Sequence, residues 1–155
     1  MGRYPKPGTR LLDKYVVDSL IGTGGMGCVI KAKHVELQEW VAIKCLLPEM
    51  MERREVVQRF LREARAAVKL KGEHVARVMD SGRLSSGVPY LVMERLEGAD
   101  LASVLRRYGP LPVRIALEYV LQACEALIEA HDFRIVHRDI KPENLFLTRA
   151  RTECR

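Results

Sequence analysis

At 155 residues the chain is long enough to bury one ordinary core, and an apolar content of 48% with 30% charged residues excludes disorder throughout. The formal charge of +6 comes largely from arginines dispersed through helical-looking stretches, with no basic block and few aromatics, which argues against nucleic-acid binding. No apolar run reaches the length of a membrane span and no signal-like apolar region opens the chain.

Cys28, Cys45, Cys124 and Cys154 lack C-x-x-C spacing and read as reduced thiols, so neither a metal site nor a disulfide framework is expected. Lys6 stands where a myristoylation signal needs Ser or Thr. The expected address is the cytoplasm.

Residues 1–10 mix Gly2, Pro5, Pro7 and Gly8 with charges and read as a mobile or loosely docked leader. Tyr15 to Ile21 reads as a strand, glycines interrupt it from Gly22 to Gly27, and Cys28 to Lys33 resumes strand-like alternation. Strand, glycine turn, strand predicts a hairpin. Gly22-Thr23-Gly24-Gly25-Met26-Gly27 is a G-x-G-x-x-G string, a weak signal that context must decide. A dinucleotide fold needs a helix directly after the last glycine, and a Walker loop needs Gly-Lys-Ser/Thr; Cys28-Val29-Ile30 supplies neither. A hairpin tip without side chains that lets backbone amides cover phosphates, or a plain turn, remains.

Trp40 to Leu47 predicts a strand buried on both faces except at Lys44, and Pro48 ends it. Lys44 reads either as an edge or snorkelling lysine or as a functional cation. From Arg53 to Leu70 the apolar residues follow a helical period, with Val56, Phe60, Ala67 and Leu70 on one stripe and Val57, Ala64 and Val68 beside it. Glu63 falls inside that stripe. Its i,i+4 partner Arg59 gives one explanation, and an ion pair with Lys44 on the preceding strand gives the other, favoured because core-facing carboxylates are rarely left unpaired.

Val75 to Met79 and Tyr90 to Met93 predict two further strands joined by a polar connection from Ser81-Gly82 to Ser86-Gly87. Asp100 is placed to cap a helix from Leu101 to Tyr108. Leu111 to His131 is the longest helical pattern, with Pro112 at its start and Ala116, Tyr119, Val120, Ala123 and Leu127 on its apolar arc. The last legible stretch runs from Ile135 to Leu147. Ile135-Val136 and Leu145-Phe146-Leu147 read as short buried strands, and Pro142 makes the middle a loop. That loop holds Asp139, which can accept a proton from a hydroxyl, Lys141, which can neutralise a transferring anion, and Asn144, whose amide oxygen can meet a hard metal ion.

Taken together these segments resemble a eukaryotic-like (Hanks-type) serine/threonine protein kinase of bacterial flavour, from about Tyr15 to Leu147. The resemblance rests on Gly22 to Val29 as G-x-G-x-x-G-x-V, on Val41-Ala42-Ile43-Lys44, and on His137-Arg138-Asp139 with Asn144 five residues on. Lys141-Pro142-Glu143-Asn144 points to the Ser/Thr branch. The implied fold is α+β: a five-stranded antiparallel small lobe with one helix over residues 11–93, a hinge over 94–99, and an incomplete, mainly helical large lobe over 100–155.

The resemblance further implies ATP and Mg2+ as cofactors and proteins with Ser or Thr acceptors as substrates. Nucleotide contacts would fall at Gly22, Thr23, Gly24, Gly25, Met26, Gly27, Val29, Ala42 and Lys44, with Glu63 holding Lys44. Met93 would be the gatekeeper, Glu94 and Leu96 would line the hinge, Asp100 would meet ribose, and Phe146 would lie near the base. Asp139 would orient and deprotonate the acceptor hydroxyl, Lys141 would steady the γ-phosphate and Asn144 would bind magnesium. His137 would be an architectural side chain in a core spine, and Arg138 a receiver for an activation-loop phosphate.

No Asp-Phe-Gly or Ala-Pro-Glu follows Leu147 in these 155 residues. On that ground the sequence is expected to be a truncated kinase with weak or no phosphotransfer by itself, and its large lobe poorly soluble. Two other readings stand beside it, a catalytically dead nucleotide-binding or scaffold module and a small-molecule phosphotransferase; V-A-I-K and Lys-Pro-Glu-Asn speak against the latter. Oligomeric state is not legible.

Overall fold

The structure is a computed structural model and describes residues 4–148. It divides into two compact units, the first built from residues up to Lys69 together with Ala76–Arg95, the second from Leu70–Val75 and from Leu96 onward.

The first unit is an antiparallel sheet with one helix. Its strands are β1 (Arg10–Leu11), β2 (Tyr15–Thr23), β3 (Gly27–His34), β4 (Trp40–Leu46), β5 (Val78–Arg83) and β6 (Pro89–Glu94), and α1 (Arg54–Ala67) lies between β4 and β5 in sequence. The sheet order is β1-β2-β3-β4-β6-β5. Alternation explains β3: Cys28, Ile30 and Ala32 are buried while Val29, Lys31 and Lys33 are half-buried. In the interior strand β4, Val41, Ala42, Ile43, Cys45 and Leu46 are buried, and Lys44 breaks the run as the pattern predicts. Val57, Phe60 and Ala64 of α1 complete the core.

Three expectations change. The sheet has six strands, not five, because Arg10 and Leu11 pair with Val16 and Tyr15. The turn between them uses left-handed φ at Leu12 and Asp13 (54° and 53°), with no glycine to signal it. Gly8 also donates its N–H to the Val17 carbonyl at 2.8 Å, tying the preceding residues to β2.

The strand expected from Val75 starts at Val78 and continues to Arg83, since Gly82 and Arg83 pair with Tyr90 and Pro89. The hairpin is closed by a short turn in which Leu84 N–H donates to Val88 at 2.8 Å and Gly87 takes φ 82°. The third change is at α1, which stops at Ala67, short of the expected Leu70.

The second unit contains β7 (Gly98–Asp100), α2 (Leu101–Tyr108), α3 (Val113–Asp132) and β8 (Phe146–Thr148). β7 and β8 pair antiparallel, with Asp100 opposite Phe146. Gly98 has φ 150°, and a Cβ there would overlap the Leu147 carbonyl oxygen, so this ladder requires glycine. Along α3 the expected residues Ala116, Tyr119, Ala123 and Leu127 are half-buried, whereas Val120 is exposed with Val113, Leu117, Leu121 and Ile128.

The buried strand expected at Ile135-Val136 does not form. Ile135 N–H is spent on the Ala130 carbonyl at the end of α3, Arg134 turns the chain with φ 57°, and Val136 is exposed. Phe146 does enter a strand, but half-exposed rather than buried. Among the described residues no helix is long and apolar enough to cross a membrane.

The segment Leu70–Val75 follows α1 in sequence yet is held by α3. The Glu129 carboxylate accepts the N–H groups of Lys71 at 2.6 Å and Gly72 at 2.9 Å, and His74 Nε2 lies 3.0 Å from Glu125.

Candidate functional site

In the first unit the glycine string forms the tip of the β2–β3 hairpin, closed by Gly24 N–H donating to Gly27 O at 2.9 Å. A Cβ built on Gly24 or Gly25 would touch nothing within 4 Å, so the turn is open on its side-chain side. Gly27 is different: a Cβ there would lie 2.6 Å from the Cys45 carbonyl oxygen, and only glycine lets β3 run this close to β4. Gly22 is paired opposite Val29 and Thr23 opposite Cys28, while Met26 lines a small cavity below the tip.

That cavity, of about 30 Å³, is also lined by Gly27, Lys44, Leu46, Val56, Phe60 and Glu63. Its volume suits roughly one water molecule. Lys44 stands opposite Val29 in the β3–β4 ladder, and its Nζ lies 3.6 Å from Glu63 Oε2 and 5.8 Å from the centre of the Phe60 ring. Glu63 is shared, because Arg59 Nε donates to its Oε1 at 2.9 Å. Both partners proposed from the sequence are therefore present, and the i,i+4 one is the shorter. The expectation that Glu63 faces the core is corrected: its side chain is 44% exposed, because Ala64 and Phe60 carry the buried stripe.

Ala42 sits directly opposite Met93 in the β4–β6 pair, both on the chain's central strands. Glu94 closes β6 by accepting the Arg77 N–H at Oε1, 2.7 Å, while its own N–H donates to the Arg77 carbonyl at 2.9 Å.

In the second unit the loop after α3 brings three predicted side chains together. Asp139 Oδ2 receives Lys141 Nζ at 2.9 Å and Asn144 Nδ2 at 2.9 Å. The same Asn144 nitrogen donates to the Asp139 carbonyl at 2.7 Å. Oδ1 takes no hydrogen bond from the described residues. Lys141, and then Asn144, holds the Asp139 carboxyl below the usual carboxylate range. Pro142–Asn144 is a 3-10 turn, which curls Asn144 back toward Asp139. Arg138 adopts a left-handed φ of 63°, a strained conformation for a side chain of its size, immediately before the carboxylate. His137 is exposed and accepts the Asp139 N–H at Nδ1, 3.3 Å, which corrects the core-spine placement.

Asp100 caps α2, accepting Ser103 N–H at 2.8 Å and Ser103 Oγ at 2.6 Å, and those two bonds with Ser103 hold its carboxyl low. Through the Asp100–Phe146 register and the bond from Leu101 N–H to Leu145 O at 2.7 Å, the cap is fastened to the segment that follows Asn144. Leu96 is half-buried in the turn before β7. What the sequence missed is that Glu63 serves Arg59 and Lys44 at once, where it offered them as alternatives, and the left-handed backbone at Arg138, which has no signature in residue order.

A family profile described as Protein kinase domain matches residues 15–154. The serine/threonine-protein kinase pkn3 of Myxococcus xanthus is 37% identical over 146 residues, covering 94% of this chain and 27% of its own length. PknH of Mycobacterium bovis, also a serine/threonine-protein kinase, is 40% identical over 136 residues, covering 87% of this chain and 22% of its own. The crystal structure of the Mycobacterium tuberculosis PknI kinase domain superposes with a TM-score of 0.78 at 31% identity, covering 94% of this chain and 59% of that one. The chain thus spans about a quarter of the curated relatives' length and under two thirds of the solved domain.

Proposed function

The chain belongs to the protein kinase domain family, and from that premise we propose that it serves the transfer of the ATP γ-phosphoryl group to serine and threonine hydroxyls of proteins in the cytoplasm. The observation that carries this reading is the asymmetry of Asp139. One oxygen is anchored by Lys141 and Asn144, and the other is left open to accept a hydroxyl. Its lowered pKa makes it a weak base that stays ionised, suited to orienting a hydroxyl first and taking the proton late, once the oxygen has begun to bond phosphorus. Lys141, already at 2.9 Å from that carboxylate, has further N–H donors for the phosphoryl oxygens.

Phosphate recognition is assigned to Lys44, kept in place by Glu63, and to the backbone of the Gly22–Gly27 tip, with Val29 and Ala42 beside it. Met93, Glu94, Leu96, Asp100 and Phe146 are assigned to the nucleoside. The serine/threonine preference is supported by the names of the relatives and by Lys141 in the loop.

The family generally uses ATP with magnesium. With its nitrogen committed to Asp139, Asn144 has the amide oxygen left for a cation, a donor set that fits Mg2+ when substrate phosphates and water complete the shell. The ion would neutralise phosphate charge; the chain's own residues orient the acceptor.

Thermal melts of the purified chain with and without Mg-ATP test the first half, and phosphoamino-acid analysis of a generic protein incubated with γ-labelled Mg-ATP tests the second. Expected are stabilisation by Mg-ATP that Lys44→Met removes and, from these 155 residues alone, phosphoserine or phosphothreonine in weak yield at most, which Asp139→Asn removes. Stabilisation without transfer would identify a nucleotide-binding module; neither effect would sink the reading altogether.

A further inference from the structure

Cys28 on β3 and Cys45 on β4 are register partners, and their Sγ atoms lie 3.6 Å apart. Both are free thiols and both are buried, 2% and 3% exposed. The other pairs in this inward-facing row, Ile30 with Ile43 and Ala32 with Val41, are hydrocarbon. Residues directly opposite on antiparallel strands have Cα atoms about 4.5 or 5.5 Å apart, which falls within the span of about 4.4–6.8 Å that a disulfide bridges. Side-chain rotation can therefore close the remaining gap to a bond of about 2.05 Å without parting the strands.

The two sulfurs are not equivalent. Either sulfur can donate in this contact; the hydrogen bond lowers the pKa of Cys28 and, with burial, raises that of Cys45, so Cys28 is the more readily ionised of the two. Their place in the ladder supplies a way in. Only the pair Gly27–Leu46 lies beyond Cys28–Cys45, and Thr23–Cys28 is the last pair between β2 and β3. Past them is the tip at Gly24 and Gly25, where no side chain packs. Fraying of this end of the ladder, where Leu47 N–H also donates to Met26 O at 3.1 Å, would open a way to Cys28.

We propose that Cys28 and Cys45 form an oxidisable dithiol, which hydroperoxides close to a cross-strand disulfide at the root of the glycine hairpin. The Cys28 thiolate attacks the peroxide, forming an S–O bond and breaking O–O; hydroxide leaves and takes up a proton as water. Cys45, deprotonated, then attacks the Cys28 sulfur, forming S–S and expelling the sulfenic oxygen as a second water. Two electrons pass from the sulfurs to hydrogen peroxide, and two thiols plus one peroxide give one disulfide and two waters. The bond joins the strand that carries Lys44 to the strand that leaves the hairpin tip.

The test is made on the full 155-residue chain with Cys124→Ser and Cys154→Ser, which leaves the two buried thiols alone. After hydrogen peroxide treatment the intact mass should fall by two hydrogens. Peptide mapping should show Cys28 linked to Cys45, and no thiol should titrate in denaturant until a reductant is added. In the same background Cys45→Ala should stop at a Cys28 sulfenic acid that a dimedone probe labels, with circular dichroism confirming that this variant folds. Two results would overturn the proposal: both thiols surviving treatment that oxidises the exposed Cys124 of the unaltered chain, or cross-links found only between chains.

Discussion

Asp139 holds its two oxygens on unequal terms, and its titration should show it. Because Lys141 and then Asn144 depress its pKa in the folded chain, the contribution of this contact to stability is present above the unfolded value, about 3.9, and is lost as pH falls through the lower folded value. The carboxylate is 56% exposed, so the energy is small, but the midpoint is a direct readout. Carbon-detected NMR should place it below that of free aspartate, and Lys141→Met should move it back up; coincident midpoints in the two proteins would contradict the anchoring described. A second prediction concerns Glu63, which serves two cations. If its role is to steady Lys44, Glu63→Gln should weaken Mg-ATP binding two- to fivefold, roughly the worth of a half-exposed ion pair. Arg59→Met should leave binding unchanged or slightly tighter, since it removes a competitor. Equal losses from both substitutions would reduce the cluster to helix-surface packing.

Among the elements, glycines that look alike in the string do different work. Gly27→Ala drives a Cβ against the Cys45 carbonyl and should cost about 1–3 kcal/mol in urea unfolding. Gly25→Ala, with open space around it, should lie within about 0.5 kcal/mol of the parent. Matching losses at the two positions would deny the close approach of β3 and β4. Strand β4 was legible because burial dictates its apolar run, and α3 because its apolar residues keep a helical period although only Ala130 is buried. Elements set by pairing partners were not. Asp80 to Arg83 carry turn-like residues yet extend β5 because β6 offers a ladder, and Ile135-Val136 carry strand-like residues yet form no strand, the Ile135 N–H being taken by the Ala130 carbonyl of α3. At the site, the identities of Asp139, Lys141 and Asn144 could be read from their order, since their chemistry is local to one loop. Both partners of Glu63 could be named from the sequence too, but not that it holds the two together, since that depends on how α1 packs beside β4 rather than on residue order.

At the scale of the whole chain, the division into two units departs from any single cut in the sequence. Leu70–Val75 belongs with α3, because the Glu129 carboxylate holds the Lys71 and Gly72 amides and Glu125 meets His74. A Cβ on Gly72 would come within 2.5 Å of Glu129 Oε2, so the carboxylate would have to shift to admit one. The backbone therefore passes between the units at residues 69/70, 75/76 and 95/96. This threading bears on how the chain behaves when it is nicked. A protease cut between Leu96 and Gly98 breaks only the last of the three passages, and the severed N-terminal piece still carries the loop that α3 recognises. The two pieces should co-elute on native gel filtration and reassemble when expressed separately, as a split protein does. Glu129→Ala should let them part, and release of the pieces from the unaltered chain on nicking would show that the loop alone is too weak a clasp.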